Sequence, residues 1–260
     1  MKKQHIIITV LSAILAILCL ILFEIVHLPL LKDELANKFL SGFISRIGIA
    51  QLFFWLLYLF GGKDIIFCGK KAFMGIIWSL PCFMVAFVNF PYSAIINKTV
   101  TIDRSDLIGL FALYVIGIAL LEEVVFRGVL FVMARDFFKN KRHAPILITL
   151  VCALIFSLFH LTNLISPSPD VPGTLLQCLY TFLIGAMLIV VMLKLKNIYL
   201  CFIIHAIFDF CGLLIVHLYL GPNSQWDKLF WILTIVSGVL AAGHIIYSLI
   251  KLDKAYVSRD

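Results

Sequence analysis

Residues 107–133 read LIGLFALYVIGIALLEEVVFRGVLFVM. A bilayer core is crossed by about 20 mostly apolar residues in helical form, and this run is longer than that. Yet Glu122, Glu123 and Arg127 lie inside it. Ionisable groups at membrane depth are costly, and they usually face a bundle interior or a water-filled cavity. The stretch predicts a membrane-spanning helix that carries charge for a purpose.

The rest of the chain agrees with a membrane setting. It has 260 residues, of which 63% are hydrophobic and 13% charged, with mean hydropathy +1.09. Soluble domains are about 45–50% apolar and about 25% charged, so the bilayer is the natural solvent. Apolar runs predict eight spans, roughly 6–27, 43–60, 72–90, 107–133, 146–165, 174–193, 198–219 and 229–250. Runs this long are helices, because lipid leaves backbone groups no other partner. The expected fold is therefore all-α, a polytopic transmembrane helix bundle. Three parts are expected: an N-terminal three-span segment (1–106), a core carrying the polar residues (107–213), and a last span with a tail (214–260).

The first run follows Lys2 and Lys3, as a signal peptide would. It is too long for a signal h-region and no A-x-A-like site follows, so it reads as an uncleaved span. With the N-terminus inside, fourteen of the 21 Lys and Arg fall in inner segments. Six fall outside (Lys32, Lys38, Arg46, Lys98, Arg104 and Lys228), and Arg127 lies within a span. That asymmetry predicts both termini in the cytoplasm. It also accounts for the net charge of +7, so no nucleic-acid partner is expected. The seven cysteines form no C-x-x-C and sit mostly in apolar runs, as free thiols do.

The ionisable residues within spans are Glu24 and His27 in the first, Glu122, Glu123 and Arg127 in the fourth, and His160 in the fifth. The seventh holds His205, Asp209 and His217, and the eighth His244. Glu24, His27, His217 and His244 fall near span ends and read as interfacial. In an α-helix, residues four apart share a face, which makes Glu123 and Arg127 an ion pair. Glu122 is one step round and lacks a local counter-charge, as a general base would. His205 and Asp209 are also four apart: Asp209 could orient His205, or both could face one cavity. Each group alone could be a polar clamp between helices. Together, three spans supply groups suited to acid–base work or metal ligation.

At this point a family resemblance appears. Glu122-Glu123-Val124-Val125-Phe126-Arg127-Gly128 resembles the first motif of the CPBP intramembrane proteases, E-E-x-x-x-R. That superfamily includes type II CAAX prenyl endopeptidases and bacteriocin-processing or self-immunity proteins. Phe156-x-x-x-His160 is similar to its second motif. His205-x-x-x-Asp209 is similar to its third, which more often ends in Asn. The resemblance covers roughly 107–213. It implies that Glu122 and His160 activate a water to attack a peptide carbonyl. It also implies that His205, with the residue at position 209, stabilises the oxyanion. An ionised Asp209 would repel an oxyanion, so it must be protonated or orient His205 instead. Glu123 and Arg127 would shape the site.

Glu122, His160 and His205 could also serve a catalytic zinc, as in metalloproteases. The resemblance favours direct Glu–His activation, so no obligate metal is expected. The expected partners are membrane lipid and a peptide or protein substrate, and the expected location is a plasma membrane, bacterial from the small size. Two other readings use the same residues: a proton- or ligand-coupled transporter, and a non-catalytic immunity or scaffold protein. Depth strains the protease reading. At 1.5 Å per residue, Glu122 and His205 lie roughly 15–17 Å and 10 Å from the inner ends of their spans, but His160 roughly 20 Å.

Overall fold

The computed structural model describes residues 28–59, 61–66, 72–165, 168–220 and 228–258, with four isolated positions near the N-terminus. Most of the first predicted span, including Glu24 and His27, lies outside the described residues. The elements run α1 (Glu34–Leu59), α2 (Lys63–Ile66), α3 (Ala72–Trp78), α4 (Leu80–Val88) and α5 (Tyr92–Ile96). Then come α6 (Ile108–Glu122), a π-helical segment (Glu123–Leu130) and α7 (Phe131–Phe138). After these follow α8 (Ala144–Phe159), α9 (Val171–Leu195), α10 (Ile198–Leu218) and α11 (Lys228–Val257). The extended structure among the described residues is one two-residue antiparallel pair, Thr101 opposite Leu220 and Ile102 opposite Tyr219.

Among the described residues, five helical stretches are long and apolar enough to cross a membrane: Glu34–Leu59, Ser105–Phe138, Ala144–Ile165, Val171–Leu195 and Lys228–Val257. The chain is a multi-pass membrane protein. The predicted span at 72–90 is two short helices meeting at Ser79. Pro81 sits in the first turn of α4, where its missing N–H is harmless, whereas inside a continuous helix its ring would clash one turn back. The fifth run likewise leaves α-helical geometry at Phe159 and continues as a 3₁₀ turn over His160–Ile165.

Local chemistry sets the ends. Asp33 accepts a hydrogen bond from the Ala36 amide (2.8 Å) at the start of α1, and Asp170 accepts one from Gly173 (3.0 Å) at the start of α9. Both are side-chain N-caps. α1 therefore starts nine residues ahead of the predicted 43. Arg46, expected outside, is buried within it, its guanidinium 5.0 Å from the Tyr114 ring centroid.

In lipid, helices gain little from hiding apolar surface and associate through close packing. Glycine permits it at two places. A Cβ on Gly117 of α6 would stand 3.3 Å from the Phe43 backbone of α1, and one on Gly185 of α9 would stand 3.3 Å from the Ala153 backbone of α8. The main core joins α1, the π segment, α8, α9 and α10 through Phe53, Leu57, Val124, Phe156, Leu188 and Ile204. Leu183 of α9 and Val239 of α11 are exposed, as lipid-facing residues would be.

Two histidines read as interfacial are packed instead. The His217 ring has Phe39, Phe111 and Tyr114 within 5.9 Å, centroid to centroid. His244 lies 4.5 Å from Trp78.

Candidate active site

The π segment carries the first motif. Its wider turn replaces the 3.6-residue period, yet Glu123 and Arg127 still meet: Nη1 of Arg127 lies 2.9 Å from Oε1 of Glu123. Both side chains are fully buried. Neither Nη of Arg127 makes a well-aligned hydrogen bond among the described residues. The guanidinium instead covers the Phe156 ring, Cζ 4.0 Å from its centroid, a cation–π contact in a desolvated place.

Glu123 has a second partner across the bundle. Nδ1 of His205 on α10 lies 2.7 Å from the same Oε1. A carboxylate facing a guanidinium only accepts hydrogen bonds, so His205 donates from Nδ1. Its other nitrogen, Nε2, then faces the remaining acids. Oδ2 of Asp209 is 3.4 Å away and Oε2 of Glu122 is 3.7 Å away. Thus Glu122, Glu123 and Asp209 gather round one imidazole. Glu123 is sealed, while Glu122 and Asp209 keep 14% and 16% of their side-chain surface, the condition for meeting a water or a substrate.

His160 joins through Phe156. Its Nδ1 lies 3.0 Å from the Phe156 carbonyl oxygen, which can only accept. The Phe156 ring stands edge-on to His160 at 5.0 Å and to His205 at 6.0 Å. One aromatic ring therefore meets both histidines and Arg127, which removes the depth mismatch that span counting implied. Among the described residues, no three His, Cys, Asp or Glu side chains gather as a set that could hold a metal. Glu122, His160 and His205 as they stand do not fit one.

Two contacts had no signal in the sequence. The Glu123–His205 bond joins residues 82 positions apart, and a helical wheel assigns Glu123 to Arg127 alone. Tyr180 of α9 packs on Phe208 with ring centroids 6.1 Å apart, and its phenol is within electrostatic range of Asp209 and Glu122.

A cavity of about 590 Å³ lies elsewhere. Phe87, Val115, Ile116, Phe202, Ala206 and Phe210 line it between α4, α6 and α10. It opens on a different face of α10 from His205 and Asp209, so it is not where acid–base chemistry would occur.

No curated protein and no solved structure matches the chain. A family model does: residues 104–211 match "Type II CAAX prenyl endopeptidase Rce1-like". The match is somewhat under half of the 260 residues, and it contains Glu122, Glu123, Arg127, His160, His205 and Asp209. Over residues 104–211 the chain is thus similar to the Rce1-like family model, which agrees with the CPBP resemblance of the three motifs.

Proposed function

We propose that this protein is an intramembrane endopeptidase acting on a membrane-associated peptide or protein, of the CAAX type or in leader-peptide processing. The observation that carries the reading is the imidazole of His205, gripped at Nδ1 by a buried carboxylate and facing two partly accessible ones at Nε2. A transporter relay needs no such grip, whereas a hydrolase is served by an imidazolium fixed in place, with an N–H at both ring nitrogens.

In this reading Glu122, with His160, takes a proton from a water, and the oxygen attacks the peptide carbonyl carbon. His205, protonated at both ring nitrogens among the three acids, keeps Nδ1–H on Glu123 and donates its Nε2–H to the oxyanion that forms. When the tetrahedral adduct collapses, the C–N bond breaks and the amine leaves with the proton that Glu122 holds. General-base help is worth about 10²–10⁴-fold, and one oxyanion donor about 10²–10³-fold. Asp209 accepts from Nε2 before substrate arrives and yields to the carbonyl oxygen. No metal takes part. The segment 107–213 is the catalytic core, and the chain crosses a plasma membrane eight times with both termini in the cytoplasm. Lys38 and Arg46 both lie within α1, so the outer side is two cations poorer than span counting allowed, in keeping with that orientation.

The test uses the full chain in liposomes with two fluorogenic peptides, one prenylated with a CAAX end and one leader-like. Wild type cleaves at least one, and Glu122→Gln loses at least about 100-fold. Cleavage of neither peptide sinks the peptidase reading. Wild-type rates in Glu122→Gln sink the assignment of the base.

A further inference from the structure

Beyond the site, a strongly charged surface lies at the opposite end of α8 from His160. Lys139, Lys141 and Arg142 form the link between α7 and α8, and all three are exposed. Lys251 and Lys254, near the end of α11, are exposed as well. These two stretches are more than a hundred residues apart, and two contacts clasp them together. The Tyr256 hydroxyl donates to the Lys139 carbonyl. Nδ1 of His143 lies 2.6 Å from Oδ2 of Asp253, with His143 held in the left-handed backbone region at φ 64°.

The clasp has a consequence for charge. Asp253 is buried and spent on His143, Asp136 is half-buried on α7, and Asp64 is taken up by Arg135 (2.8 Å) and Lys196 (3.6 Å). Five exposed cations therefore share one platform. Its position is also telling. The cations lie at the ends of stretches long and apolar enough to cross a membrane, Ser105–Phe138, Ala144–Ile165 and Lys228–Val257, and beside them Phe137 is 70% exposed. Phe137 is anchored by packing on Phe138, with ring centroids 4.9 Å apart. An exposed aromatic next to a basic cluster at a helix end suits the headgroup layer, where the ring reaches the acyl boundary and the ammonium groups meet phosphate.

We propose that the clasped ends of α7 and α11 form a binding platform for anionic phospholipid headgroups of the adjoining leaflet, with Phe137 as its apolar anchor. This does not depend on the peptidase reading. An acidic protein segment would meet the same charges, but it would have no use for Phe137.

The experiment is native mass spectrometry of the full chain in detergent with phosphatidylglycerol and phosphatidylcholine supplied in equal amounts. Each exposed cation near an anionic surface is worth about fivefold, so retained lipid should favour phosphatidylglycerol by about tenfold or more, less at high salt. Neutralising one half (K139Q/K141Q/R142Q) or the other (K251Q/K254Q) should each lower the preference severalfold. All five changes together should bring it near parity, while Lys→Arg at the four lysines keeps it. These side chains are exposed, so the variants should fold. Tyr256→Phe with His143→Ala leaves the five cations in place but opens the clasp, and should also lower the preference. The proposal is overturned if wild type holds the two lipids equally, or if the fivefold variant retains phosphatidylglycerol as wild type does. Binding of a poly-glutamate peptide without any lipid preference would overturn it in favour of a protein partner.

Discussion

Replacing Glu123 with Gln tests the division of labour between two adjacent carboxylates. The side chain is fully buried between Arg127 (2.9 Å) and His205 (2.7 Å). Gln keeps an oxygen for the His205 donor but removes the charge facing Arg127. Arg127 is then left buried with only the Phe156 ring to meet it. Breaking one side of a buried ion pair costs about 3–5 kcal/mol. For a chain of this size that corresponds to a fall of roughly 6–20 °C in apparent melting temperature. Glu122→Gln changes a partly accessible carboxyl 3.7 Å from His205 and should cost no more than about 1 kcal/mol. Size-exclusion chromatography of detergent-solubilised protein, heated in steps, reads both. Arg127→Met in the Glu123→Gln background removes the orphaned charge, so the double variant should recover at least about 2 kcal/mol. If the two Gln variants melt together, or the double variant recovers nothing, the division of roles is wrong.

Asp209→Asn removes a charge beside Nε2 while keeping an acceptor and adding a donor, so kcat should hold or rise. A fall of tenfold or more would mean that the carboxylate itself takes part. Hydrolysis should be unchanged after prolonged dialysis against EDTA or phenanthroline, and a loss restored by zinc would overturn the metal-free mechanism. Gly185→Ala sets a Cβ 3.1 Å from Phe156 and 3.3 Å from the Ala153 backbone. It should cost about 1–3 kcal/mol, seen as a lower melting temperature together with reduced kcat, because Phe156 also contacts His160, His205 and Arg127. Asp33 carries a pKa below its ordinary 3.8, first through the Ala36 amide and then through Arg104. A carboxyl depressed on folding stabilises above its unfolded pKa and loses that effect as pH falls through the folded one. Hydrogen exchange at the start of α1 should therefore quicken only below about pH 4, and Asp33→Asn should abolish that step.

The sequence carried the motif residues well because each announces itself against an apolar background. A glutamate or histidine amid leucine and phenylalanine is visible at once, and i,i+4 spacing pairs Glu123 with Arg127 and His205 with Asp209. Partners across helices were not legible. Nothing in the local pattern of Glu123 says that a histidine on another helix will take its oxygen, nor that Tyr180 will stand near Asp209. Element ends failed for a related reason. Hydropathy reports what lipid will accept, so it cannot separate α3 from α4, where the break is stereochemical, at Pro81. It also placed Arg46 outside because a cation marks a boundary by default, whereas a tight α1–α6 contact and the Tyr114 ring let it stay inside.

The π-helical segment shows that the Glu123–Arg127 pair forms although the helical-wheel argument for it was incomplete. A wheel of 3.6 residues per turn places Glu122 away from Arg127, but from Glu123 to Leu130 the helix does not keep that period. In the wider turn, Arg127 approaches Glu123 close enough for an ion contact yet makes no aligned hydrogen bond from either Nη. The geometry lost along the helix is used across it: Oε1 of Glu123 also accepts from His205. Glu122 sits at the last α-helical position before the change of period, and its Oε2 stands 3.7 Å from Nε2 on the other side of the same imidazole. The two carboxylates therefore differ through the backbone that follows them as much as through their angular step. A π segment beside a reactive group is a common functional device. Here it converts a self-contained ion pair into a bridge between the first and third motifs.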